Sequence, residues 1–245
     1  MLTIITPFTG VYFISILISS TVRPFPYPSR PSLFRERAGT RSFTGSNRII
    51  NLFYPIMKEC IMSFFNAPIT NQVPNGVVCV SQLYAYITTS EWLRERTDQV
   101  RAASSDEKRF RRLKQSLLPY VTPAGIFSYR KEDHLLVPSG EFVIDIDHLS
   151  SPEEAICWRD TLFADERLRP DLSFVSPSTT GIKLLVPYRL SIKKTVEESF
   201  DEAVRFAWEY LEWKYGLKAD ATNADLSRAC FLCHDPSARL GDRNC

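Results

Sequence analysis

Two aspartates one residue apart, Asp145 and Asp147, close a short apolar run, Glu141-Phe-Val-Ile-Asp-Ile-Asp-His-Leu149. In a strand, residues two apart share a face and lie about 6.5–7 Å apart along the chain. Phe142, Ile144 and Ile146 are therefore expected to face a core while both carboxylates project together from the other side. Two carboxylates at the end of a hydrophobic strand repel each other and resist desolvation unless a cation lies between them. Oxygen donors of this kind suit Mg²⁺ or Mn²⁺. An isolated D-x-D more often marks solvated acids before a turn, so the rest of the chain decides.

Two further stretches carry groups of the same chemistry. Ser176-Pro-Ser-Thr-Thr-Gly181 is a tight polar loop, and Lys183 follows near the start of the next apolar strand. Ser178 and Gly181 would bring backbone N–H groups close to a phosphate. Lys183 would neutralise phosphate charge. Asp220 closes a short run, Leu217-Lys-Ala-Asp220, and Ser227-Arg228 opens a last apolar one. Three carboxylates on one sheet face can hold two divalent ions about 3.5–4 Å apart, the spacing used in phosphoryl chemistry. Asp225 and Asp235 are alternative third acids. Each piece also has a plain reading: a hairpin turn, a solvated lysine, and a structural ion pair between Asp220 and Arg228.

The elements that must position these groups are legible from periodicity. Val77–Val80 is β-like, Ser81–Thr89 opens a helix, and a charged helix is expected from about Ser90 to Leu118. That helix carries Arg94, Arg96, Arg101, Lys108, Arg109, Arg111, Arg112 and Lys114; its plain reading is a solvated face, its functional one a phosphate-facing surface. Tyr120–Pro123 and Gly125–Arg130 read as strand, turn, strand. Ser151-Pro-Glu-Glu154 and Thr195-Val-Glu-Glu198 are capping boxes that start helices. The second helix runs to about Tyr215, with Phe200, Ala203, Val204, Ala207, Trp208 and Leu211 at helical spacing and Gly216 at its end. Leu172–Val175 and Ile182–Tyr188 read as strands, and Ser227–Cys233 as a last one. The order predicts an α+β fold with a mixed, largely antiparallel sheet and packed helices. No G-x-x-x-x-G-K-[ST] loop is present, which argues against an NTPase motor.

Composition is that of a globular protein: 44% hydrophobic and 24% charged over 245 residues. The net charge of +2 is uneven. Residues 1–61 carry seven Lys/Arg against two acids, and the rest carries 23 against 26. The basic balance thus belongs to the leader and is no argument for nucleic-acid binding. Met1–Val22 is uncharged, but its longest apolar run is short for a membrane span and no positive n-region precedes it. Residues 1–61 are expected to lie outside the fold, as a disordered leader or an extension upstream of a start at Met62. Residues 62–245 are expected to form the domain, truncated at its C-terminal side. Six cysteines in a chain of this size suggest a reducing compartment, hence a cytoplasmic protein with no membrane association. Cys230-Phe-Leu-Cys233-His234 formally matches a haem-attachment pattern, but nothing else resembles a cytochrome, and one C-x-x-C is weak for zinc.

The order of Asp145/Asp147, Ser178/Gly181/Lys183 and Asp220 resembles the catalytic core of archaeo-eukaryotic primases, the primase–polymerase superfamily. More narrowly, the chain resembles the VirE N-terminal domain family from about Met62 onward. Phe64–Pro68, Val121–Arg130, Asp145–Leu149, Ser176–Lys183 and Ser227–Pro236 carry that resemblance. It implies an RRM-like palm and a metal-dependent nucleotidyltransferase of the DNA primase type, in a mobile-element replication protein. Asp145, Asp147 and Asp220 would hold two Mg²⁺ or Mn²⁺ ions, and Ser178, Gly181, Lys183 and Arg228 the nucleotide. Arg130, Arg109 and Arg112 would contact a single-stranded DNA template. Nucleoside triphosphates are the implied substrates and a helicase ATPase, in cis or in trans, the implied partner. The second motif of that superfamily usually ends in His, where this chain has Lys183. A lysine binds phosphate as a point charge and cannot act as a neutral imidazole. Two alternatives follow: a non-catalytic single-stranded nucleic-acid-binding module, or a metal-dependent nuclease.

Overall fold

The structure is a computed structural model that describes residues 60–219 and 225–242. The expected leader therefore falls, except for its last two residues, outside the described residues, and Asp220 lies outside them too. Among the described residues the fold is α+β, with antiparallel sheets and five α-helices. None of these helices is long and apolar enough to cross a membrane.

The first sheet has the order β2-β1-β3-β9, built from β1 (Ile61–Phe65), β2 (Gly76–Cys79), β3 (Tyr120–Thr122) and β9 (Cys230–Phe231). The second has the order β10-β7-β8-β6, from β6 (Glu141–Ile146), β7 (Leu172–Val175), β8 (Ile182–Pro187) and β10 (Arg239–Leu240). A small pair, β4 (Gly125–Phe127) with β5 (Leu135–Pro138), stands apart. The expected strand–turn–strand at Tyr120–Arg130 thus divides between two sheets: β4 pairs with β5, not with β3.

Strand alternation sorts the second sheet between two cores. Ile182, Leu184 and Val186 of β8 and Phe142, Ile144 and Ile146 of β6 pack with α4 (Pro152–Phe163) and α5 (Val196–Tyr215). On the opposite face, Leu172, Phe174 and Leu185 join Met62, Phe64, Val121 and Cys230 of the first sheet. Leu83 and Ile87 of α1 (Val80–Thr89) and Leu93 and Val100 of α2 (Glu91–Arg101) complete that core. The second sheet is therefore a middle layer, apolar on both faces. This explains why its strands read as nearly continuous hydrophobic runs. Asp145, Asp147 and Lys183 interrupt the face shared with the first sheet.

The helix boundaries follow local chemistry. Thr195 accepts from the Glu198 amide at 3.1 Å while the Glu198 carboxylate accepts from the Thr195 amide at 2.8 Å, closing the expected box. Gly216 ends α5 in the left-handed region at φ 67°, where a side chain would be strained. The single charged helix expected over 90–118 is two helices, α2 and α3 (Glu107–Leu117). Asp106 accepts from the Arg109 amide at 3.0 Å and starts α3 as its N-cap, so Ala102–Ser105 turns the chain. Leu217–Ala219 forms no strand, and the last apolar run narrows to Cys230–Phe231.

Candidate functional site

Asp145 on β6 lies directly across from Lys183 on β8 in the antiparallel register. Cross-strand partners share a face, so carboxylate and ammonium meet, and Lys183 Nζ donates to Asp145 Oδ2. Both side chains are nearly enclosed, at 14% and 8% exposure. Asp145 Oδ1 is closed off from solvent and accepts no hydrogen bond among the described residues. Buried polar atoms are rarely left so.

Asp147, one step beyond the strand end, is exposed and forms part of a cleft of about 500 Å³. His148 lies beside it. The loop after β7 supplies one wall through Ser176, Pro177, Ser178 and Thr180, and Lys183 also lines the cleft. The other wall is α3, which presents Glu107, Phe110, Arg111 and Lys114, with Ser104 from the turn before it. Residues 107, 111 and 114 recur at the i, i+4, i+7 spacing of one helical face. That spacing is the signal by which Glu107, Arg111 and Lys114 can be picked from a helix dense in charge.

Gly181 fixes how closely the loop approaches the aspartates. A Cβ there would collide with the Asp147 carboxylate and come within 2.8 Å of both the Ile146 carbonyl and the Ser176 hydroxyl. Ser176 and Ser178 share a hydrogen bond at 2.8 Å, and the Ser176 amide donates to the Gly181 carbonyl at 2.8 Å. The Leu149 amide donates to the Thr180 carbonyl at 2.9 Å, tying the exit of β6 to the loop. Two non-glycine residues here adopt left-handed backbone, His148 at φ 63° and Thr179 at φ 68°. Such conformations cost of order 1–3 kcal/mol each and persist only where the surroundings enforce them.

Charge in the cleft is closely coupled. Although Asp147 reaches solvent, partial desolvation by the cleft walls and the neighbouring Asp145 raise its pKa, against the pull of Lys183, Lys114 and His148. Burial alone would depress the Lys183 ammonium; the Asp145 carboxylate reverses this, and its pKa ends above the ordinary lysine value. Lys114 moves the other way, lowered by burial and by the like charge of Lys183. Its ammonium also lies 5.4 Å from the centre of the Phe231 ring. The Cys230 thiol is pushed up to about 11 by burial, so this cysteine is neutral beside the Asp145–Lys183 pair.

The cleft thus brings together Asp147, Ser178 and Lys183, with Gly181 packed against Asp147 and Asp145 bonded to Lys183. Other residues singled out by sequence lie elsewhere. Arg228 and Asp225 line a separate small hollow with Pro123, Phe142 and Phe200. Arg130 stacks over the Tyr120 ring at 5.1 Å. Arg109 and Arg112 are exposed on α3 but do not line the cleft. Asp235 is a buried structural acid: it accepts from the Val175 amide at 2.8 Å, from the Ser237 amide at 2.9 Å and hydroxyl at 2.6 Å, and faces Arg159 at 3.6 Å. It braces the residue from which the loop departs. Cys233 donates to the Val175 carbonyl at 3.1 Å, and His234 Nδ1 is hydrogen-bonded to the Ile87 carbonyl at 2.9 Å. Cys60, Glu141 and Asp171 form a second group of donor side chains, distinct from the cleft.

No curated protein and no solved structure matches the chain. A family described as BT4734-like, N-terminal domain matches residues 112–239, a stretch that includes the D-x-D strand, the Ser176–Gly181 loop and β9. This corrects the resemblance to the VirE N-terminal domain family: the family that matches is a different one, and no primase–polymerase assignment comes with it. With just over half of its length matched, the chain belongs to the BT4734-like N-terminal domain family.

Proposed function

We propose that the cleft is a metal-dependent nucleotidyl-transfer site of the DNA primase or primer-extending type. The observation that carries this reading is the convergence of Asp147, Lys183, the loop residues Ser176, Ser178 and Thr180, Arg111 and Lys114 on one cleft of about 500 Å³, with Asp145 paired to Lys183. That volume falls within the range of small-molecule sites, roughly 300–1,000 Å³. The donors fit a hard cation: Asp145 Oδ1 is an acceptor without a partner, and Asp147 is exposed and feels the charge of Asp145. Asp145 and Asp147 would hold Mg²⁺ or Mn²⁺. When bound, such an ion supplies charge neutralisation at phosphoryl oxygens and acidifies an attacking hydroxyl. The Ser176–Gly181 loop would seat the phosphates, with Ser178 donating its hydroxyl and Gly181 permitting close approach. Arg111 and Lys114 face the loop across the cleft and would take the triphosphate charge. In this reading the antiparallel middle sheet acts as a polymerase-like palm, single-stranded DNA runs along α3, and the protein works in the cytoplasm with a helicase ATPase in cis or in trans.

The test is incorporation of a labelled nucleotide on single-stranded DNA by the purified full chain with Mn²⁺. Wild type should initiate or extend a strand, and Asp145→Ala with Asp147→Ala should abolish it. Equal incorporation by both, or none by wild type, removes the reading. The exposed basic residues Lys108, Arg109 and Arg112 outside the cleft favour a second one, a non-catalytic single-strand-binding module. It predicts salt-dependent binding that survives loss of both aspartates and needs no metal. Shortened rather than lengthened strands would instead indicate a nuclease.

A further inference from the structure

Sites that stabilise both attacking and leaving oxygens usually hold two ions about 3.5–4 Å apart. A carboxylate that bridges such a pair offers one oxygen to each. Asp145 is not free to do so, because its Oδ2 is taken by the Lys183 ammonium and only Oδ1 remains without a partner.

Lys183 also has little freedom to leave. It is 8% exposed, sits in the middle of a three-stranded register between Asp145 and Phe174, and has Cys230 beside it. Turning away from Asp145 would break an ion pair between two nearly enclosed groups and leave the carboxylate without its counter-charge, which is costly. Charge points the same way. Two carboxylates and one ammonium carry a single net negative charge. One dication over-balances it by one; a second would add two more positive charges against a buried ammonium.

We propose that Lys183 occupies the place of a second metal ion, so that the cleft takes one divalent cation, held by Asp145 Oδ1 and Asp147, beside a permanent ammonium. The inference rests on the metal reading of the cleft and fixes its stoichiometry.

The experiment counts Mn²⁺ on the 245-residue chain by equilibrium binding and reads the ions' spin coupling by electron paramagnetic resonance. Wild type should bind one ion with an uncoupled spectrum, Lys183→Met should bind two that are spin-coupled, and Asp145→Ala with Asp147→Ala should bind none. Two ions on wild type would overturn the inference and leave the metal reading standing. One ion on both wild type and a folded Lys183→Met would also overturn it, since Lys183 would not be what excludes the second. No ion on wild type would remove the metal reading and the inference together. A second measurement needs no variant. In ¹⁵N-lysine spectra of wild type, the protected Lys183 Nζ signal should persist through saturation with Mg²⁺. Its loss would mean that the ammonium is displaced, and would overturn the inference even where Lys183→Met fails to fold.

Discussion

Breaking the Asp145–Lys183 pair should destabilise the protein far more than breaking a surface pair. With Lys183→Met, a carboxylate only 14% exposed loses its counter-charge while Oδ1 already lacks a partner. Removing one member of a buried pair costs about 3–5 kcal/mol, because the other is left as an uncompensated charge. Asp145→Asn leaves the ammonium in the same position and should fall in the same range. Combining the two removes both charges, so the double variant should recover more than half of the summed loss. The internal reference is Arg94–Glu91 on α2, with side chains 51% and 74% exposed, where solvent screens the pair and Glu91→Ala should cost far less than either buried variant. Guanidinium unfolding of the metal-free full chain at pH 7 measures all four. The ammonium's pKa is raised in the fold. The pair's contribution is therefore complete below the unfolded lysine value of about 10.4, and is lost only as pH climbs beyond it. A single-variant cost under about 1 kcal/mol, or strictly additive losses in the double variant, would refute the picture of a desolvated, mutually dependent pair.

Other expectations can be checked in the same way. Gly181→Ala forces a methyl against two oxygens at 2.8 Å and should cost about 1–3 kcal/mol of unfolding free energy while weakening Mn²⁺ binding. Thr179→Gly relieves a β-branched residue at φ 68° and should stabilise by about 1 kcal/mol in thermal or denaturant unfolding. Asp165 is buried and would be raised by burial, but hydrogen bonds from Lys214, Tyr215, the Leu168 amide and Tyr210 hold it well below the ordinary range. Its stabilising effect is thus present above the unfolded carboxylate value of about 3.9 and lost as pH falls below it. Asp165→Asn should lower the unfolding midpoint at pH 7, with the deficit shrinking in acid. Asp147 has its pKa raised, so in the metal-free protein its ionisation opposes folding. Asp147→Asn should therefore stabilise at pH 7, and the gain should vanish as pH falls through the carboxylate range.

Strand alternation made the central part of the site legible. Phe142, Ile144 and Ile146 fall in one core and Asp145 and Asp147 on the opposite face, as a period of two requires. The caps of α4 and α5 were equally readable, because Ser151 and Thr195 act through local hydrogen bonds. The partner of Asp145 was not. Lys183 is 38 residues away in sequence, and only the β6–β8 register places it opposite. The break between α2 and α3 was hidden by helix formers on both sides, although the Asp106 cap marks it. Arg228 and Arg109 carry the same charge as Arg111 and Lys114, yet Arg111 and Lys114 line the cleft and the other two do not. Charge density in a sequence says little about which way a helix is turned.

The brace between Asp235 and the Val175 amide has a consequence for synthesis. It joins residues 60 apart, and the walls of the cleft come from 104–114, 147–148 and 176–183. Contacts of long sequence separation form late, and a chain leaving the ribosome presents its N-terminal parts first. α3 and the D-x-D strand therefore emerge before the loop that faces them, and the loop before the acid that anchors it. Until Asp235 is in place, the start of the loop lacks its anchor. A growing chain thus carries the carboxylates and cations without the loop that faces them fixed in place, and cleft geometry becomes a late marker of complete folding.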